Sequence, residues 1–259
     1  MTEPTRTATF DLWHTVLYLE PEEEDRYNRG QLELAVDALE GSPRSGEASV
    51  RPREAFQQAA REALTLSERG VSVNPSDQIR RAGSLCGHAP DVERYRLGLD
   101  RLVETSPFQL APGTHDAFGE IVQSGIRIGV IANTVGESGR AMRRILDREG
   151  LSPFVTAWSW SDELPWTKPA PEIFGHCLGQ IDGTASHAIH VGDAIWDIEG
   201  ARGAGFRAAI LYLGLARYGS FYGTVIMHRD PRTARPDHIV RHMSELPSLA
   251  RQLLGDGSS

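Results

Sequence analysis

The sequence predicts an α/β fold, a parallel sheet with helices on its faces, with a helix-rich stretch near its start. Three observations lead there. From Pro112 onward, short apolar runs alternate with amphipathic stretches, as in a parallel sheet whose strands are joined by helical crossovers. The stretch 18–105 shows helical periodicity and no convincing strand. The 259 residues, 40% of them hydrophobic, suffice for one large domain or for a core domain with an inserted cap.

Taken in order, the chain opens on a short apolar strand, Ala8-Thr9-Phe10, that delivers Asp11 at its end. A polar and acidic stretch over 20–29 leads into a helical pattern carried by Leu32, Leu34, Ala35, Val36, Ala38 and Leu39. Residues 41–53, rich in Gly, Ser, Pro and Arg, read as a loop. Helices are expected over 54–67 and 92–105, the second with Leu97, Leu99, Leu102 and Val103 on one apolar face. Strand 126–131, helix 136–149, strand 154–158 and helix 171–178 follow, the last with Pro171 in its first turn. A strand over 187–191, a helix containing 199–204 and an apolar run over 207–212 complete the alternation. There is no internal repeat, and only 255–259 reads as disordered. The segment 215–237, with Arg217, Tyr218, Phe221, Tyr222 and His228, fits an ordered loop, a dimer contact or a mobile arm.

A formal charge of -8 argues against nucleic-acid and anionic-membrane partners. Cys86 and Cys177 fit no metal-ligand spacing and read as reduced, buried thiols. With no apolar run of spanning length and no basic, hydrophobic leader at Met1-Thr2-Glu3-Pro4, a cytoplasmic location is expected. The expected partner is a small-molecule substrate, bound by a monomer or homodimer.

Several of these elements end in residues that carry chemistry. Asp11 follows the first strand and Asn133 follows Val130-Ile131-Ala132. Lys168 lies in Trp166-Thr167-Lys168-Pro169, and Gly192-Asp193-Ala194-Ile195-Trp196-Asp197 follows Val191. The carboxyl ends of strands in an open parallel sheet converge on one crevice, so three carboxylates, an amide and an ammonium would meet there. Singly, each has a plain explanation: a turn residue, an exposed helix start at Lys-Pro, a helix N-cap after Gly. The order and spacing of the set argue for a site.

In that order, over about 8–18 and 108–213, the chain resembles the haloacid dehalogenase-like (HAD) hydrolase superfamily. Asp11-Leu12-Trp13-His14-Thr15-Val16 matches its first motif, and Ala132-Asn133-Thr134 its second. Lys168-Pro169-Ala170-Pro171-Glu172 matches the third, and Gly192-Asp193 with Asp197 the fourth. The resemblance implies a modified Rossmann core, residues 1–17 and 106–259, with an α-helical cap, 18–105, inserted between the first two motifs. It implies Asp11 as covalent nucleophile and Lys168 as the charge that neutralises phosphate and carboxylate. It also implies Mg2+, held by Asp11, the main-chain carbonyl of Trp13 and Asp193, with Asp197 binding the ion through water or orienting Lys168. Thr15, Asn133 and Trp13 are the expected substrate contacts.

The departures from the family pattern matter as much. Phosphatases and mutases of the family carry an aspartate two residues after the nucleophile, where it protonates the leaving group and activates water; here Trp13 stands there. Losing such help typically costs roughly 10²- to 10⁴-fold. Ala132 stands where a phosphate-binding Ser or Thr hydroxyl is usual, and His14 replaces a glycine. His14 is the nearby candidate for the missing acid or base.

The reading is a Mg-dependent phosphohydrolase or phosphotransferase acting on a small organic phosphate through an aspartyl-phosphate at Asp11, without the usual acid. The alternatives are a non-hydrolytic descendant, of lyase or cyclase type or with a ligand-binding role, and a 2-haloacid dehalogenase. An aromatic residue at position 13 favours the dehalogenase, and the acidic Gly192-Asp193 argues against it. Schiff-base chemistry from the cap is excluded, because residues 18–111 contain no lysine. All five tryptophans lie outside the cap, as core packing or as an aromatic mouth for a flat or hydrophobic substrate. Arg26, Arg29, Arg51 and Arg53 are the cap cations weighed as entry residues against simple surface solvation.

Overall fold

The structure, a computed structural model, describes residues 4–41, 50–216 and 235–255. The expectations for 217–234, for most of the 41–53 loop and for 256–259 lie outside the described residues.

Strand β1 (Thr5–Phe10) is buried on both faces over its last four residues, which makes it a central strand. It pairs in parallel with β4 (Arg127–Ala132) on one side and β6 (Gly183–Gly192) on the other. Adding β5 (Val155–Trp160), β7 (Ala208–Tyr212) and β8 (His238–Val240) gives a parallel sheet in the order β5-β4-β1-β6-β7-β8. Phe10 stands level with Val130 and with Val191, so the chain leaves all three central strands at one edge. The strand order reverses at β1, and in such sheets a ligand crevice forms outside that switch point.

Alternate strand residues feed opposite faces. Ala8, Phe10, Ile128, Val130, Val191 and Ile210 pack on one side with Phe118 of α5 (Thr114–Gln123), Met142 and Ile145 of α6 (Gly139–Arg148) and Leu246 of α9 (Leu246–Leu254). Ile131, Ala157, Ala188 and Leu211 pack on the other with Ile173, Phe174 and Cys177 of α7 (Pro171–Gly179) and Ile198 of α8 (Ile195–Gly203). Between β2 (Leu17–Tyr18) and β3 (Gln109–Leu110) lie α1 (Pro21–Glu40), α2 (Pro52–Ser67), α3 (Pro75–Cys86) and α4 (Val92–Thr105). These four share their own apolar cluster, with Leu39, Phe56, Ile79 and Leu99 at its centre. The antiparallel pairs Leu17 with Leu110 and Tyr18 with Gln109 bring the exit and return of this segment together.

Several expectations are corrected. Helix α1 begins at Pro21, inside the stretch read as polar, because Pro and three glutamates suit a first turn. Helix α3 was not expected, although its boundary signals are good: Asn74 caps Asp77 N–H at 3.0 Å, Pro75 follows, and Gly87 closes the helix at φ 67°. Its apolar stripe is thin, which hides it from a periodicity reading. Leu97 is 54% exposed, away from Leu99 and Val103. Two residues on a helix stand about 200° apart, so Leu97 and Leu99 cannot share a face. Strand β6 begins earlier than expected, and β8 and α9 were not foreseen. Cys86 and Cys177 are free and buried. Among the described residues no helix is long and apolar enough to cross a membrane.

Candidate active site

Each central strand hands one polar residue to the crevice. Asp11 follows β1, Asn133 follows β4 and Asp193 follows β6, while Asp197 lies in the first turn of α8. Lys168 enters from the loop between β5 and α7 and is 1% exposed. It is the only lysine in the chain, against 26 arginines. Its Nζ donates to Asp11 Oδ1, and to Asp197 Oδ1 at 2.6 Å.

Asp11, Asp193 and Asp197 are all buried, and one oxygen from each lies within 4.8 Å of the others. Three carboxylates thus face one ammonium, an imbalance that suits an added cation. Burial pushes Asp11 up to about 6 against the pull of Lys168. Burial, then Asp11 and Asp197, push Asp193 well above the ordinary carboxylate range. Asp197 goes the other way, because Lys168 and His190 outweigh its burial. Burial opposes the Lys168 charge, but Asp11 and Asp197 hold the ammonium above its usual value.

Behind Asp197 runs a chain of contacts that the sequence reading missed. His190 Nε2 lies 3.1 Å from Asp197 Oδ1, and His190 Nδ1 lies 2.8 Å from Thr9 Oγ1. Burial lowers the His190 pKa and favours the neutral ring. With Nε2–H donating to Asp197, Nδ1 accepts the Thr9 hydroxyl. Asp197 Oδ2 accepts the Ala194 N–H at 3.0 Å, so both of its oxygens are engaged. The available signal was a histidine inside the apolar strand that ends at Gly192-Asp193.

Asn133 is bound to the Lys168 backbone in both directions. Its Oδ1 accepts the Lys168 N–H at 2.8 Å and its Nδ2 donates to the Lys168 carbonyl at 3.1 Å. Thr15 Oγ1 reaches Asp11 Oδ2 at 3.4 Å. His14 has φ 54°, the left-handed region that favours the glycine it replaces. Its Nε2 lies 3.4 Å from Glu24 Oε1 on α1. Ala132 is buried in the apolar cluster, and Thr134 does not supply the missing hydroxyl, since it donates to Asp162 at 2.5 Å.

The indole of Trp13 donates to Glu137 Oε1 at 2.7 Å and packs edge-on against Phe108, ring centres 5.0 Å apart. Glu137 was not expected. It is buried, and burial pushes it up to about 7. A lone acid in Val135-Gly136-Glu137-Ser138 gives no sequence signal of its own.

Asp11, Trp13, His14, Asn133, Lys168 and Asp193 open into one cavity of about 350 Å³, whose far wall is built by α1 and α2. Trp196 also lines it, whereas Trp158 stacks on Trp160 and Trp166 packs behind the sheet. Arg26, Arg29, Arg51 and Arg53 do not line it; Arg26 pairs with Glu23 on the surface.

Gly192 shows how tightly the site is built. A Cβ there would lie 2.3 Å from the Asp197 carboxyl carbon. Gly192→Ala is expected to cost about 1–3 kcal/mol, as overpacking does, read as a lower urea midpoint with an unchanged slope.

A haloacid dehalogenase-like hydrolase family model matches residues 5–205. A phosphoglycolate phosphatase of Nitrosococcus oceani is 25% identical over 143 residues, 55% of this chain and 58% of that protein. One of Caulobacter vibrioides is 29% identical over 156 residues, 60% and 61% of the two chains. The chain therefore spans about three-fifths of the length of these relatives. The magnesium-bound structure of the HAD-hydrolase YfnB from Bacillus subtilis shares the fold, with TM-score 0.61, 18% identity and coverage of 96% of this chain and 100% of that one. The ordered motifs, the buried Asp-Lys-Asp cluster at the switch point and the match over most of its length place the chain in the haloacid dehalogenase-like hydrolase family.

Proposed function

We propose that this protein is a magnesium-dependent phosphohydrolase or phosphotransferase for small organic phosphates, working through an aspartyl-phosphate at Asp11 without a general acid at position 13. The observation that carries it is the buried cluster of Asp11, Asp193, Asp197 and Lys168 at the sheet edge. The phosphatase names of the two relatives support the reading. We further propose that 18–105 is a cap domain over a core of 1–17 and 106–259, in a cytoplasmic monomer or homodimer.

Three clustered carboxylate oxygens suit Mg2+, a hard cation that takes oxygen ligands. Asp11 and Asp193 would hold it with the Trp13 carbonyl, while Asp197, its oxygens already engaged, orients Lys168. When bound, the ion offsets the negative charge of the phosphate and of the buried carboxylates. Lys168 neutralises Asp11 and the phosphate oxygens, and Asn133 fixes the Lys168 backbone. A carboxylate oxygen of Asp11 forms the bond to phosphorus as the ester oxygen leaves. Water then cleaves the acyl phosphate and regenerates Asp11, or an acceptor alcohol takes the phosphoryl group.

The indole at position 13 cannot protonate the leaving oxygen. Esters with good leaving groups are therefore expected to react faster than alkyl esters by roughly 10²- to 10⁴-fold. Phosphate release from acetyl phosphate, an aryl phosphate and sugar phosphates, with and without Mg2+, tests this; equal rates across the panel would show that another group supplies the proton. A non-hydrolytic role remains the second reading, favoured by Trp13 in the acid's place with its N–H committed to Glu137.

A further inference from the structure

We propose that the substrate is a phosphate monoester whose organic part carries an ammonium group, bound with its phosphate at Asp11 and Lys168 and its amine toward Glu24 and Glu68. The proposal rests on the phosphatase reading for the placement of the phosphate.

The cavity has two chemically different ends. Among the described residues Lys168 is the only Lys or Arg that lines it, and it is already committed to Asp11 and Asp197. Across the cavity, α1 contributes Glu24 and the end of α2 contributes Glu68. Trp13, Tyr27 and Trp196 also line the cavity and add aromatic surface. This is not a shortage of cations in the chain, which has 26 arginines; among the described residues none of them lines the cavity.

A substrate with a second anion, a carboxylate or another phosphate, would meet carboxylates and, among the described residues, no Lys or Arg beyond Lys168; the one imidazole there, His14, already faces Glu24 at 3.4 Å. An ammonium would meet carboxylates and ring faces, both of which attract it. Like charge at the wall thus rejects one class of ester and favours the other. An ammonium two carbons from the ester oxygen also makes the alcohol a better leaving group, which suits a site without an acid at position 13.

Three two-carbon esters differ only at the far end: phosphoethanolamine, 2-hydroxyethyl phosphate and phosphoglycolate. Their affinities for the full-length Asp11→Asn protein, measured by calorimetry with Mg2+ present, decide the matter without turnover. Phosphoethanolamine is expected to bind about tenfold or more tightly than the hydroxyl ester, and phosphoglycolate more weakly than either. Glu24→Gln with Glu68→Gln, added to Asp11→Asn, is expected to bring the amine ester down to the hydroxyl ester. Equal affinities, tighter binding of phosphoglycolate, binding of none of the three, or a preference untouched by the glutamate changes would overturn the proposal. Hydrolysis of p-nitrophenyl phosphate by the wild type is scored separately. Its absence would count against the phosphatase reading, while the order of affinities would still judge the amine.

Discussion

Asp11→Asn is expected to abolish phosphate release, with a loss on the order of 10⁴- to 10⁶-fold in turnover, the range seen when one member of a covalent catalytic unit is removed. The amide keeps the shape of the carboxyl group but has no charge with which to attack phosphorus. The loss is expected without loss of the fold. Asp11 is buried, its pKa is raised to about 6, and Asp193 and Asp197 lie beside it, so its charge is held at a cost near neutral pH. A folded-state value above the unfolded 3.8 means that this cost is present at pH 7 and fades as pH falls through 6. The metal-free Asp11→Asn protein is therefore expected to melt no earlier than the wild type at pH 7. Thermal melts of both proteins, beside the phosphate assay, check the two halves of the prediction.

Lys168→Met should do the opposite to stability while also removing activity. Among the described residues its Nζ is the one cation bonded to both Asp11 and Asp197, which are buried. Methionine fills the space but leaves those carboxylates and Asp193 uncompensated. Breaking a buried pair by removing one partner costs about 3–5 kcal/mol. Turnover is expected to fall about 10²- to 10³-fold, the effect of removing one preorganised charge stabiliser. The pH dependence has a definite sign. In the wild type Lys168 helps hold the Asp197 pKa low; in the variant burial raises it. A carboxyl whose folded value is raised loses its penalty as it is protonated, so the deficit is largest at neutral pH and shrinks toward pH 5. Millimolar Mg2+ is expected to restore part of the melting temperature, since a divalent ion offsets the same carboxylates. A deficit that is the same at every pH would mean that Lys168 acts there by packing alone.

The parallel sheet was legible because its strands are short, apolar and regularly spaced, and because the residues after β1, β4 and β6 are polar. Asp11, Asn133, Lys168, Asp193 and Asp197 were legible together because each closes or follows such a strand or opens a helix. What was hidden depends on distance in space rather than in sequence. Glu137 gains meaning only when the loop after β4 brings it to the Trp13 indole. His190 and Thr9 face one another across two neighbouring strands, and nothing in either segment alone marks the pair. Asn133 lines the cavity, and the sequence did not show that its side chain also holds the Lys168 backbone, a contact across 35 positions. Helix α3 escaped because boundary signals at Asn74, Pro75 and Gly87 outweigh a thin apolar stripe. The carboxylates of the far wall became visible only when α1 and α2 were seen to close the cavity.

The most direct test of the central claim is to mix the wild-type protein with acetyl phosphate and Mg2+, quench in acid within milliseconds to seconds, and analyse the peptides by mass spectrometry. The account predicts a phosphoryl group on Asp11, absent from Asp11→Asn and persisting long enough to accumulate, since no aspartate at position 13 activates water against it. Phosphate release from the wild type with no phosphoryl group on Asp11 at any time, or with the group on another residue, would contradict it.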